Sequence, residues 1–281
     1  MAGISQNPWL LGLLGDDRVL RSPSPMMHQA ALAQAGLFGY YLPLRLESAD
    51  LKAAVLGLAA LGFQGLNVTA PHKETIAPFL ASLSKEAETI GAVNTLLSSP
   101  DGYVGYNTDA KGFAAAYLHN PPGQKALVFG AGGAARAVIQ ALKSKNLAVV
   151  VAARNPEAAL KLAQRFEETA ITLDDLAKAP PFPVVVNASS ASYPADLNPL
   201  PKVTVAADGL VVDINYGRSD NYWTSLAKAS GARFEDGLGM LAHQARLSFN
   251  LWTKEDLGLS PFAGALAVYL REGVVRPVGR P

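Results

Sequence analysis

Short apolar runs alternate along this chain with longer segments in which apolar residues recur every three or four positions. The run 9–15 predicts a buried strand, and 25–36 predicts a helix that opens on proline and closes on glycine. A strand over 40–46, a helix over 50–61 that stops at Gly62, and a strand over 63–69 follow. The turn cluster Asn120-Pro121-Pro122-Gly123 interrupts this rhythm, and a second unit begins with a strand over 125–129. After it come a glycine turn, a helix to about 144, a strand over 147–152 and short apolar strands at 184–186 and 210–214. The proline-rich tracts 179–183 and 199–201 read as loops, and 238–252 and 261–272 as closing helices. Strand–helix alternation with short connections predicts an α/β fold with mainly parallel sheets covered by helices.

Composition narrows the class. The 281 residues suffice for one large or two modest domains, and 49% hydrophobic against 17% charged residues gives enough apolar material for real cores. A formal net charge of +1 gives no bulk reason to expect nucleic acid or an anionic membrane as partner. With no cysteine, thiol chemistry, disulfides and thiolate metal sites are out, which fits a cytoplasmic protein. The first fifteen residues lack the pattern of a signal peptide, and no apolar run approaches the ~18 residues of a membrane span. The four histidines have no metal-ligand spacing, so no metal is expected.

The candidate chemistry begins at Asn67-Val68-Thr69-Ala70-Pro71-His72-Lys73, which puts polar side chains and an ammonium where a strand ends. Pro71 predicts a helix opening there, because its missing N–H is harmless at the first helical position. Ala92-Val93-Asn94-Thr95 and Asn107-Thr108-Asp109 are two further polar interruptions, and the three together suggest the lining of one polar pocket. By themselves Lys73 reads as a surface lysine and Asp109 as a helix cap. Gly130-Ala131-Gly132-Gly133-Ala134-Ala135 follows an apolar strand and precedes a helix, as a dinucleotide-binding turn requires. The second strand of that unit ends in Ala152-Ala153-Arg154-Asn155, without the acidic residue that would receive a ribose 2′-hydroxyl. An arginine there suits a 2′-phosphate, so NADP is expected over NAD.

In order and spacing these segments resemble the signature of the shikimate dehydrogenase family. So do Ser22-Pro23-Ser24-Pro25, Ile90-Gly91 ahead of Ala92, and Asp236-Gly237-Leu238-Gly239-Met240-Leu241-Ala242-His243-Gln244. The resemblance covers roughly residues 8 to 270. It implies NADP-dependent reduction of 3-dehydroshikimate to shikimate in aromatic amino-acid biosynthesis. It implies a substrate domain over 1–120 plus 243–281 and a Rossmann-type NADP domain over 121–242. It makes Lys73 and Asp109 an acid/base pair and gives the substrate carboxylate to Ser22, Ser24 and Tyr216. The ring hydroxyls fall to Asn67, Thr69, Asn94, Asp109 and Gln244. Cofactor contacts fall to Gly130, Ala131, Gly132, Gly133, Ala134, Arg154, Asn155, Ser189, Gly237 and Met240. The expected partner is the small-molecule substrate, and the expected assembly a monomer or homodimer.

Three stretches depart from the family pattern. Asn187-Ala188-Ser189-Ser190-Ala191-Ser192 has serine where threonine is usual and lacks a glycine. The loop 216–223 lacks a proline and carries bulky aromatics, and Gly15-Asp16-Asp17-Arg18 replaces a Gly-x-Pro entry to the serine loop. Quinate or an amino analogue therefore stays open as substrate. A non-catalytic ligand-binding regulator of the same fold is the reading from another class.

Overall fold

The computed structural model describes residues 7–192, 196, 201–217 and 221–271. The expected loop residues 199–200, the centre of the 216–223 loop and Glu272 lie outside them. The chain divides into two compact units at 108/109 and again at 241/242. The first crossing falls at the start of a helix rather than at the 120–123 turn.

The first unit carries β1 (Trp9–Gly15), β2 (Gly39–Arg45), β3 (Gly65–Val68), β4 (Ser82–Leu83), β5 (Thr95–Ser99) and β6 (Gly102–Tyr106). They form one sheet in the order β2-β1-β3-β5-β6-β4. β1 pairs in parallel with β2 and β3, whereas β3–β5 and β5–β6 are antiparallel. The β5–β6 hairpin turns on Pro100-Asp101-Gly102, with Gly102 at φ 122°. Helices α1 (Ser24–Gln34), α2 (Leu51–Ala60) and α3 (Lys85–Ile90) complete the N-terminal part.

Side chains alternate across β3, and the alternation sets up the site. Leu66 and Val68 join Leu51 and Val55 of α2 in one apolar cluster. Gly65 and Asn67 face the opposite side, where Trp252 covers Gly65 so closely that a Cβ there would lie 2.5 Å from the indole.

The second unit begins with α4 (Asp109–Tyr117) and holds β7 (Lys125–Phe129), β8 (Ala148–Ala152), β9 (Thr169–Ala170), β10 (Phe182–Asn187), β11 (Val205–Asp213) and β12 (Arg233–Asp236). All pairings in the order β12-β11-β10-β7-β8-β9 are parallel. Its helices are α5 (Gly133–Lys143), α6 (Pro156–Arg165), the short α7 (Leu173–Leu176) and α8 (Tyr222–Ser230). The long α9 (Leu238–Thr253) leads back to the first unit, which α10 (Ser260–Arg271) closes.

Two expectations are corrected here. Residues 70–76 form successive turns leading into a short 3-10 segment, Ala77–Phe79, and not an α-helix opening at Pro71. The Lys73 carbonyl, which would serve the helix, instead accepts the Val93 N–H at 2.8 Å, and Pro78 has no N–H to give. Phe182 and Pro183, expected in a loop, open β10.

Candidate active site

In the first unit, Ser22 and Ser24 sit where the chain enters α1. The Ser22 Oγ lies 3.0 Å from the Ser24 Oγ and accepts the Ser24 backbone N–H at 3.2 Å. Ser24 is the first helical residue, with Pro23 at the N-cap and no side-chain cap, so Ser24 does not serve as a capping serine.

The expected ring-binding amides meet in one buried network. Asn67 stands directly opposite Thr95 in the β3–β5 register. Its Nδ2 donates toward the Asn94 carbonyl at 3.1 Å, the Thr95 Oγ1 at 3.2 Å and the Ser248 Oγ at 2.9 Å. Its Oδ1 accepts the Tyr41 hydroxyl at 2.9 Å. The Asn94 Oδ1 accepts the Thr108 backbone N–H at 2.7 Å and the Thr95 hydroxyl at 2.9 Å. The Asn94 Nδ2 reaches the Thr108 Oγ1 at 2.9 Å and the Gln244 Oε1 at 3.4 Å. Asn94, Thr108 and Gln244 are thus brought together although about 150 residues of chain separate the first from the last. Lys73, half-buried, is fixed to the same region by the bond from Val93 to its carbonyl. The Thr69 backbone N–H bonds the Leu14 carbonyl at 2.9 Å, which ties the end of the β3 segment to β1.

His28 lies under this network, fully buried and stacked on Tyr41 with ring centroids 4.2 Å apart. Burial pushes its pKa down to about 3, opposed only by the nearby Asn67 side chain. Neither ring nitrogen makes a hydrogen bond of normal geometry. The Tyr41 hydroxyl is raised well above its ordinary value by burial, so it stays a donor.

In the second unit, the glycine turn joins β7 to α5. Gly130 has φ 130°, and a Cβ there would lie 2.8 Å from the Ala188 carbonyl group, so both conformation and space require glycine. Ala135 is completely buried. The backbone from Gly130 through Ala131, Gly132, Gly133 and Ala134 leads into the N-terminus of α5, a setting suited to a pyrophosphate. Arg154 is exposed at the end of β8, with Nη1 3.2 Å from the Asp196 carbonyl oxygen. The Asn155 side chain caps α6 by accepting the Ala158 N–H at 3.1 Å.

At the ends of β10 and β11, Ser189 donates its hydroxyl to the Asn187 Oδ1 at 2.7 Å, so the hydroxyl that replaces threonine is engaged within its own loop. Asn187, Asn215 and Asn221 all donate to the completely buried Asp213 carboxylate, at 2.8–3.1 Å. Asn215 also donates to the Ser189 carbonyl at 2.8 Å, and the Tyr222 N–H to the Ser192 carbonyl at 3.0 Å, so the two departing loops brace each other. Tyr216 follows in this segment, half-buried. Gly237 is wedged so tightly that a Cβ would overlap the Ile214 carbonyl. The Met240 N–H donates to the Tyr117 hydroxyl at 2.9 Å. Asp109 is buried as the first residue of α4.

Thr95 and Thr108 belong to the polar interruptions that suggest a pocket, whereas Tyr41 and Ser248 enter the network without a place in that sequence reading. Ser248 had a signal, since it lies one helical turn beyond Gln244. Asp213 had one too, as a carboxylate ending an apolar strand.

Similarity to known proteins follows the same division. Residues 14–96 match the shikimate dehydrogenase substrate binding domain, and 113–218 the shikimate / quinate 5-dehydrogenase family. Residues 237–257 match the shikimate 5′-dehydrogenase C-terminal domain. The shikimate dehydrogenase (NADP(+)) of Acidiphilium cryptum is 40% identical over 89% of this chain and 92% of its own length. That of Bacillus licheniformis is 39% identical over 87% and 91%. The Thermus thermophilus shikimate 5-dehydrogenase, solved with NADP(H) and shikimate, superposes with a TM-score of 0.82 at 36% identity, covering 93% of this chain and 99% of that one. Relatives 39–40% identical match over most of the chain, and it belongs to the shikimate dehydrogenase family.

Proposed function

We propose that this protein interconverts 3-dehydroshikimate and shikimate with NADP as the redox partner, in aromatic amino-acid biosynthesis. The observation that supports this most is the meeting of Asn67, Asn94 and Gln244 in one buried set, with Lys73 pinned to the same segment. Carboxamides donate and accept at once, as recognition of several ring hydroxyls requires. The same reading assigns Thr69 and Asp109 to the ring hydroxyls, and Ser22, Ser24 and Tyr216 to the carboxylate.

The second unit fits the dinucleotide, because Gly130 makes a turn that only glycine can make and the backbone after it leads into the N-terminus of α5. Gly130 through Ala134 would hold the pyrophosphate and Arg154 the 2′-phosphate. Asn155, which caps the following helix, would hold the same end as Arg154, and Ser189, Gly237 and Met240 would hold the nicotinamide end. When bound, the dinucleotide supplies the hydride and with it both electrons. Lys73 delivers the proton to the ketone oxygen as it becomes a hydroxyl, and Asp109 orients the ammonium. In the oxidative direction Lys73 receives that proton.

Steady-state kinetics with shikimate and quinate, each with NADP and NAD, test the reading. Shikimate with NADP should give the highest kcat/KM. Arg154→Ala should weaken NADP by about 1.5–3 kcal/mol, as for a lost charge-assisted hydrogen bond, with little change for NAD. A wild-type preference for NAD, or for quinate, overturns the corresponding part.

A further inference from the structure

We propose that Tyr41 and Ser248 are positioning residues that fix the orientation of the Asn67 carboxamide, and so set which ring hydroxyl of the substrate the protein reads. The inference rests on the shikimate reading above.

The geometry starts from the needs of an amide. An asparagine side chain can turn over, exchanging its donor and acceptor ends, unless its neighbours discriminate between them. At Asn67 they do. At one end the Tyr41 hydroxyl, which can donate and accept, gives its proton to the Oδ1 at 2.9 Å. On the other end, the Asn94 carbonyl can only accept from the Nδ2. Ser248 strengthens that side. Its Oγ lies 2.9 Å from the Asn67 Nδ2, 2.8 Å from the Thr95 Oγ1 and 3.1 Å from the Thr108 Oγ1. It also donates to the Gln244 carbonyl at 3.0 Å, one turn back along α9. One hydroxyl therefore ties Asn67 on the sheet to the turn of helix that bears Gln244.

Tyr41 extends the chain in the other direction. Its hydroxyl also interacts with the Ser24 side chain, which lies 3.0 Å from the Ser22 Oγ. The sequence Ser22, Ser24, Tyr41, Asn67, Ser248 is thus one continuous polar chain. It runs from the groups assigned to the carboxylate to those assigned to the ring hydroxyls. The tyrosine ring is held independently by its stack on His28, so removing the hydroxyl leaves the packing in place.

The test is Tyr41→Phe and Ser248→Ala, each assayed in the full-length protein with shikimate and its monodeoxy analogues. Both variants should raise the KM for shikimate about three- to tenfold, the range for one net hydrogen bond. The KM for NADP should stay within about twofold. The decisive readout is selectivity, because loosening Asn67 should lower the preference for shikimate over one monodeoxy analogue and leave the other preferences in place. In an Asn67→Ala background, Tyr41→Phe should add almost nothing. Parallel loss with every substrate, or additive effects in that background, overturns the proposal and leaves the two residues with a packing role. If Tyr41→Phe fails to fold, Ser248→Ala decides by the same readouts. A wild-type protein that does not turn over shikimate overturns the parent reading instead.

Discussion

Around Ser248 the first unit gathers Tyr41, Asn67, Asn94, Thr95, Thr108 and Gln244, a buried set of amides and hydroxyls with no formal charge. Around Asp213 the second unit gathers Asn187, Asn215 and Asn221, three neutral donors converging on one carboxylate that is completely buried. The first set joins strands and a helix, and the second ties loop ends together. The contrast separates two uses of buried polarity. A neutral network, in which each member has several partners, keeps most of its bonds when one is removed. A network built on a single charge depends on that charge, because every donor in it aims at the same two oxygens.

The largest effect should come from the one cation assigned to the neutral region. If the network only binds and orients, chemistry rests on Lys73, and Lys73→Ala should lose about 10²–10⁴-fold in turnover. Shikimate affinity and the circular dichroism spectrum should be nearly unchanged. Lys73→Arg should recover little, since a guanidinium holds its proton and differs in shape. Asp109→Asn should also slow turnover, and the double variant should be far less impaired than the product of the two effects. Near-wild-type turnover in Lys73→Ala with the fold intact removes the lysine from the mechanism.

Next in size is the difference between the two networks themselves. Asp213→Ala leaves four donor groups facing a void, including the Asn215 backbone N–H at 3.1 Å. It should cost about 3 kcal/mol or more in urea unfolding, given 1.5–3 kcal/mol for a hydrogen bond to a charged group. Thr95→Val removes one hydroxyl from the neutral set and should cost about 1 kcal/mol. Equal losses for the two would erase the distinction.

Much of this arrangement is legible in the chain, for reasons that are local. The β7 turn can be read because Gly130 and Ala135 answer to short-range sterics, and the polar triplets because they interrupt apolar runs. The helix expected at Pro71 fails because a distant residue, Val93, takes the Lys73 carbonyl. The β5–β6 hairpin has its signal in Pro100-Asp101-Gly102, a turn sequence between two short strands. Ser248 and Tyr41 illustrate the harder limit. A serine in a helix and a tyrosine in a strand are ordinary residues until the register Asn67 opposite Thr95 brings them together.

A third comparison, through pH, tests whether the first unit tolerates charge at all. His28 is enclosed by the rings of Tyr41, Phe249, Trp252 and Phe262. Its pKa is held down to about 3 by burial, against an unfolded value near 6.5. The folded protein therefore keeps the ring neutral, while the unfolded chain takes up a proton once the pH drops below about 6.5. The stabilisation is fully present above that pH and is lost as pH falls toward the folded value. Between pH 7 and pH 4.5 this one group should remove about 2–3 kcal/mol of unfolding free energy. His28→Phe keeps a ring of similar size and cannot titrate, so its acid limb should be shallower by that amount. Carboxylates shared by both proteins cancel in the difference. Parallel stability curves for wild type and His28→Phe over this range would mean that the histidine finds an acceptor when protonated, and that the first unit accommodates charge as the second does.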